Sequence, residues 1–288
     1  MMDWRRPVLL GGLYLTRKGI PENLNKIHEI EFNESKLRQL QEKKLCDIIK
    51  HAIKTVPYYQ QNLSSRNVIS NNGVNWEEFE SIPLLTKNKL RLRKKDMKSQ
   101  NPGRSPYWNT SGGTTGKPVE FWQDQDYWHW NVTNKIYYQS LAGKKIGEPE
   151  TKLWGNERDI LEGNESLKKR IRNFLYNRQT LNSFVMNEDN MQRYVNQINN
   201  FEPKTIWAYV ESIHQLAKYI DNNERTIHSP KGIISTAGTL HEPVRDLVER
   251  VFDTTVYNQY GTREVEILPA SALNRKVYTY FPTRITLK

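Results

Sequence analysis

The sequence predicts an α/β fold whose sheet is largely parallel. Its second half alternates short strand-like runs with amphipathic helical runs, and each strand–helix–strand step returns the chain to the same sheet through a right-handed crossover. Prolines and side-chain N-caps punctuate those runs where helices must stop and start. At 288 residues the chain is also ample to bury a core.

The elements follow in order. From Asn33 to Val56, the residues Leu37, Leu40, Leu45, Ile48, Ile49, Ala52, Ile53 and Val56 recur at helical spacing, with Asn33 or Ser35 as N-cap and Pro57 as stop. Ile82-Pro83-Leu84-Leu85 is extended on account of its proline, and Thr86 then caps a helix that opens at Lys87. After Trp108 the chain turns to Asn, Thr, Ser and Gly, then to the β-prone run Val119-Glu120-Phe121-Trp122. Asn187 caps a helix carrying Met191, Tyr194, Val195 and Ile198, and Thr205-Ile206-Trp207-Ala208 is a strand. Ile213, Leu216, Ala217 and Ile220 mark the next helix, followed by strand Gly232–Ser235, helix Pro243–Phe252 and strand Thr254–Tyr257. Ligands of such sheets collect at the carboxyl ends of the strands.

Composition narrows the function classes. A single cysteine, Cys46, excludes a disulfide framework and any multi-cysteine metal site and fits a reducing compartment, so a cytoplasmic location is expected. The apolar run Pro7–Leu15 follows Arg5-Arg6 as a signal peptide would. Thr16-Arg17-Lys18 replaces a cleavage site, however, and the run is too short to span a bilayer, so it belongs to the mature protein. The Asn-x-Ser/Thr triplets at Asn33, Asn62, Asn109, Asn131 and Asn164 are then chance matches.

With 43 Lys+Arg against 32 Asp+Glu, the formal net charge of +11 suggests an anionic partner: nucleic acid, nucleotide, coenzyme A or acidic lipid. The one dense basic run, Lys87 to Lys98, contains no aromatic residue that could stack on bases, so it is expected to be a solvated helix face and no nucleic-acid partner is expected.

The segment Trp108-Asn109-Thr110-Ser111-Gly112-Gly113-Thr114-Thr115-Gly116-Lys117-Pro118 carries the chemistry. Its glycines let backbone N–H groups converge, its hydroxyls add donors, and Lys117 adds a mobile cation, which together describe a polyphosphate cradle. It is not a Walker A loop, because Pro118 stands where a magnesium-binding hydroxyl would follow the lysine. His129, among Tyr127, Trp128 and Trp130, is either a pocket wall or core, and His214 and His241 have no partner at metal spacing.

Thr110 to Pro118 resembles the phosphate loop of the adenylate-forming enzymes, the acyl-CoA synthetase superfamily. A second match in the right order is Tyr257-Asn258-Gln259-Tyr260-Gly261-Thr262-Arg263-Glu264, which is similar to the superfamily's Tyr-Gly-x-Ser/Thr-Glu motif. The flanks Val56-Pro57-Tyr58-Tyr59 and Ile82 to Lys87 resemble the phenylacetate-CoA ligase and capsule-biosynthesis (CapK-like) branch. The resemblance spans about residues 34 to 265.

It implies the large N-terminal adenylation domain of an acyl-CoA synthetase, incomplete, without the small C-terminal domain. Residues 1–100 would be its N-terminal helical part, 101–265 its nucleotide-binding α/β core, and 266–288 a tail. By resemblance Thr110, Ser111, Gly112, Gly113, Thr114, Thr115, Gly116 and Lys117 surround the β- and γ-phosphates of ATP. Ala237, Gly238 and Thr239 form the adenine loop, Tyr260 flanks adenine with Gly261 beside it, and Glu264 binds Mg2+. Here Arg263 stands where the family has a hydroxyl, with Thr262 one place earlier, and either would touch the α-phosphate; charge favours Arg263. Trp154-Gly155 and Glu157-Arg158-Asp159 resemble a further segment, either acyl-pocket wall or packing. The implied partners are ATP, a small carboxylic acid and coenzyme A or another acceptor.

The family's ribose-binding aspartate, hinge and C-terminal catalytic lysine are not found after Glu264, and Ile267 to Lys288 contains no acid and no glycine. Back-translated with permitted codons and shifted by two bases, Val265–Lys288 reads GDIACECFEQKGLHIFPDKNYFE, which resembles the family's continuation. A single-base loss near Val265, an out-of-frame tail and impaired turnover are therefore expected. That tail carries the β-prone, uncharged run Val277–Phe281.

Overall fold

The computed structural model describes residues 4–30, 33–70, 73–111, 118–155, 167–264 and 268–269. They fall into two compact units. One is built on Lys135–Gly261 together with the N-terminal segment through Lys18, and the other on Gly19–Asn134 and Thr262–Leu268.

The first unit is the expected α/β layer. Strands β5 (Glu150–Leu153), β6 (Arg178–Leu181), β7 (Thr205–Tyr209), β8 (Gly232–Thr236) and β9 (Val256–Tyr260) lie in the order β9-β8-β7-β5-β6, every pair parallel, with the short β10 (Leu268–Pro269) beside β9. Alternation along each strand sends Leu153, Ile206, Ala208, Ile233 and Val256 to one face. There they pack with Val195, Ile198, Ile213, Leu216, Val248 and Phe252 from helices Glu188–Phe201, Val210–Asn222 and Glu242–Phe252, the main core of the protein. Asn187 caps the first of these helices as expected, its side chain accepting from Asn190 N at 2.9 Å.

The opposite face is crossed by the C-terminal half of the helix Gln125–Leu141, here α7. Tyr138 donates to Asn258 O at 2.8 Å, and Gln139 to Glu150. The chain leaving α7 presses on β8. A Cβ at Gly232 would come within 2.9 Å of Ala142 O and of the Tyr257 ring, so only glycine fits there.

In the second unit, α3 (Glu34–Thr55) is the long helix expected from its periodicity, and Asn33 rather than Ser35 is its N-cap. Pro57 ends α3 but does not end helical structure. Val56 takes φ −110° and ψ 110°, the extended geometry favoured before proline, and Pro57 then opens α4 (Pro57–Leu63) at a position needing no N–H donor. Leu45 and Ile49 of α3 pack with Val68 and Val74, and Ala52 packs with Val56, Tyr59 and Leu63.

Thr86 caps α6, accepting from Lys89 N at 3.3 Å, but α6 spans only Lys87–Leu92. The rest of the basic run is turn, and its cations are not simply solvated. Arg93 lies over Tyr58, Lys94 over Trp108 and Lys98 over Trp122 at 5.9, 4.3 and 4.3 Å. The aromatic partners absent from the run itself are brought to it by other segments. Pro7–Leu15 lies within a helix, Arg5–Thr16, none of whose residues is buried, and no helix among the described residues is long and apolar enough to cross a membrane.

Candidate active site

The expected phosphate loop is mounted on a hairpin. Strands β3 (Tyr107–Thr110) and β4 (Glu120–Gln123) pair antiparallel, with Trp108 opposite Trp122 and Thr110 opposite Glu120. The two tryptophan rings stack 4.0 Å apart. One step beyond the ladder, Ser111 and Val119 close the base of the loop: Ser111 N donates to Val119 O at 2.8 Å, and Val119 N to Ser111 Oγ at 2.9 Å. Thr110 and Ser111 thus sit at the loop's foot. Gly112, Gly113, Thr114, Thr115, Gly116 and Lys117 lie outside the described residues.

The second motif docks onto the same hairpin. Gln123 Nε2 and Tyr127 Oη both donate to Arg263 O, at 2.6 and 2.7 Å, while Arg263 Nη1 donates to Thr110 O at 3.0 Å. Gln123 is in turn held by Asn109, whose Nδ2 donates to Gln123 Oε1 at 2.8 Å. Segments about 150 residues apart are therefore tied together by the side chains of both, and Glu264 follows directly. Glu264 lines a cavity of about 430 Å³ whose walls include Ala52, Leu90, Trp108 and Phe121, with Lys87, Lys94, Lys98, Glu120 and Asp124 as further charged groups.

In the first unit the carboxyl ends of the parallel strands carry the remaining expected residues. Ala237, Gly238 and Thr239 follow β8 and are exposed, Ala237 in the left-handed region at φ 58°. That conformation is costly for alanine and turns the chain sharply out of the sheet. Tyr260 ends β9 with 60% of its surface exposed, and Gly261 follows. Trp154 at the end of β5 stacks on Tyr209 at the end of β7, their ring centres 4.2 Å apart.

No protein-family model matches the chain. Protein CapK of Staphylococcus aureus is 24% identical over 233 residues, covering 79% of this chain and 50% of CapK. The open conformation of 2-hydroxyisobutyryl-CoA ligase, in complex with 2-HIB-AMP and CoA, matches with a TM-score of 0.53 at 14% identity, covering 76% of this chain and 52% of the ligase. The same ligase in its postadenylation state with R3-HIB-AMP gives 0.55 at 13%, covering 78% and 48%. The chain therefore shares the fold of this ligase over about three quarters of its length. This chain spans about half the length of these relatives.

Within that fold the structure brings Thr110, Arg263 and the strand pair bearing the loop together in one unit, with Thr262 exposed beside them. Ala237 to Thr239, Tyr260 and Gly261 belong to the other unit. Glu157-Arg158-Asp159 lies outside the described residues, while Trp154 is partly covered by Tyr209 and Gly155 is buried. His129 lines a separate cavity of about 460 Å³ with Glu22, Lys44 and Asp126, and its buried Nε2 has no hydrogen-bond partner among the described residues.

Sequence reasoning assigns no role to Gln123 or Tyr127. A signal was present: Asp124 Oδ1 accepts from Tyr127 N at 2.8 Å, an N-cap contact that starts α7 directly after β4 and aims Tyr127 back at the hairpin. No cluster of three or more metal-ligating side chains occurs among the described residues.

Proposed function

We propose that this chain binds ATP and a small carboxylic acid and joins them as an acyl-adenylate, with coenzyme A or another acceptor taking the acyl group afterwards. The observation that carries this reading is the docking of Arg263, with Glu264 next to it in the chain, onto the hairpin that flanks the Thr110–Pro118 segment, through Gln123, Tyr127 and Thr110 O. The likeness to a ligase crystallised with an acyl-adenylate and CoA supports it. The CapK-like motifs and the CapK relative favour a place in capsular or surface polysaccharide synthesis.

In the reaction a carboxylate oxygen attacks the α-phosphorus of ATP, the bond from that phosphorus to the bridging oxygen breaks, and pyrophosphate leaves with the electron pair. The obstacle is like-charge repulsion between carboxylate and triphosphate. Lys117 and the amides of Gly112 to Gly116 would take the β- and γ-phosphates, and either Arg263, favoured by its charge, or Thr262 the α-phosphate. Mg2+, when bound, supplies further neutralisation of phosphate charge, and Glu264 would hold it. Ala237 to Thr239 and Tyr260 would receive adenine.

The test is acid-dependent exchange of labelled pyrophosphate into ATP across a panel of carboxylic acids. Exchange that needs an acid and disappears in Glu264→Gln is the expected result. ATP binding without exchange for any acid would instead make the chain a nucleotide-binding module without turnover. Failure to bind ATP at all would overturn both.

A further inference from the structure

The proposed function assigns no role to the interior of the cavity that Glu264 lines. Every described residue of that lining belongs to the second unit. Its walls are mostly apolar, with Ala52 of α3 and Val56 after it, Leu90 of α6 and Met97 in the turn that follows. The rings of Tyr59, Trp108, Phe121 and Trp122 line it too. A volume of about 430 Å³, apolar walls and a few polar groups are what a site for a small organic molecule usually offers.

One set of polar groups comes from the junction of α3, α4 and the turn after α6. Tyr58 N donates to Asp96 O at 3.0 Å and Gln100 N to Thr55 O at 2.7 Å, which ties the start of α4 to that turn. Ser99 Oγ donates to Thr55 Oγ1 at 3.0 Å and lies 3.3 Å from His51 Nε2. Tyr59, Lys98 and Ser99 line the cavity from this junction. Tyr59 is 8% exposed, and its buried hydroxyl has no hydrogen-bond partner among the described residues. Burial first, and then the neighbouring Tyr58, push that hydroxyl above its ordinary value, so at neutral pH it stays protonated and able to donate. A buried donor left unmatched is costly, and an acceptor brought by a ligand would remove that cost. The acids of the lining are engaged within the protein: Glu120 with Lys94, Asp124 with Tyr127 N, and Glu264 as well.

We infer that this cavity binds a small aromatic carboxylate, its ring packed among Trp108, Phe121 and Met97, its carboxylate accepting from the Tyr59 hydroxyl and drawn to the Lys98 ammonium. An aromatic body suits these walls, because rings pack edge to face or offset on one another and a thioether packs well against a ring. The carboxylate supplies the acceptor that Tyr59 lacks. The inference stands apart from the proposed function, since none of these contacts involves ATP. The carboxylate is either the acid that the chain activates or a separate ligand, and the experiment distinguishes the two.

That experiment is calorimetric titration of the full chain, without ATP, with a naphthoate, with the matching naphthamide, which keeps the shape and loses the charge, and with acetate, which loses the rings. Saturable binding of the naphthoate, weaker for the naphthamide and absent for acetate, is the expected result. Tyr59→Phe should weaken it about tenfold, the loss of one hydrogen bond to a charged group. It should not lower thermal stability, because the hydroxyl removed has no partner among the described residues. Lys98→Met, at an exposed ammonium, should weaken binding only about two- to fivefold. Leu90→Trp fills the cavity and should abolish binding, and it carries the test if Tyr59→Phe does not fold. Pyrophosphate exchange driven by the naphthoate would make the ligand the activated acid, and binding without exchange would make it a separate ligand; either upholds the site. No saturable binding of the naphthoate, equal affinity for acetate, or unchanged affinity in Tyr59→Phe and Leu90→Trp would overturn the inference. With no ATP present, that failure would leave the ATP assignment untouched.

Discussion

Glu150 sits among Lys144, Arg178 and Lys152 on one face of the parallel sheet, and that neighbourhood sets how the protein responds to pH. Burial alone would raise its carboxyl, but Lys144, Arg178 and Lys152 outweigh burial and lower it from 4.5 to about 2. A depressed carboxyl contributes stability that is fully present above its unfolded value and is lost as pH falls from about 4.5 towards 2. Glu150→Gln should flatten that acid limb in urea denaturation. At neutral pH it should cost about 3 to 5 kcal/mol, because Lys144 and Arg178 remain buried without their acid.

Lys152 acts in the opposite range. Its amine is lowered from 10.5 to about 7, so between those values the unfolded chain binds more protons and stability gains from this group as pH rises. Lys152→Met should remove that gain, read as a smaller rise in urea midpoint between pH 7 and 10. Nearer the loop, Tyr127→Phe removes one of the two donors on Arg263 O. It should weaken ATP binding by about 0.5 to 1.5 kcal/mol in calorimetry while leaving thermal stability nearly unchanged.

At the scale of elements, what local chemistry specifies was legible in the sequence. Asn33, Thr86 and Asn187 each cap the helix expected of them, because an N-cap needs only its own side chain and an N–H three residues on. Asn187→Ala should accordingly cost about 1 kcal/mol in denaturant unfolding, and an unchanged midpoint would show that this helix is held by packing alone. Strands β5 and β6 were not legible. Glu-Thr-Lys-Leu and Arg-Gln-Thr-Leu lack the apolar signature of a buried strand, and their charges find each other only once the two strands lie in register. α7 escaped notice too, since its aromatic residues face more than one neighbour and leave no single apolar stripe. Pro57 illustrates a different limit: the proline ends one helix by fixing Val56 as extended, yet the same ring starts the next.

For the molecule as a whole, the candidate site was legible in the sequence as two motifs, because each is defined by residue types at short spacing. Their meeting was not, since Gln123, Tyr127 and Asn109 join them through hydrogen bonds that no local pattern announces. ATP binding is the claim on which the proposed function rests. The most direct measurement is calorimetric titration of the full chain and of Lys117→Ala with MgATP. Saturable binding that weakens by about 1.5 to 3 kcal/mol in the variant, the range for hydrogen bonds to a charged group, is the result the account predicts. No binding by the unaltered chain, or equal affinity in the two proteins, would contradict it.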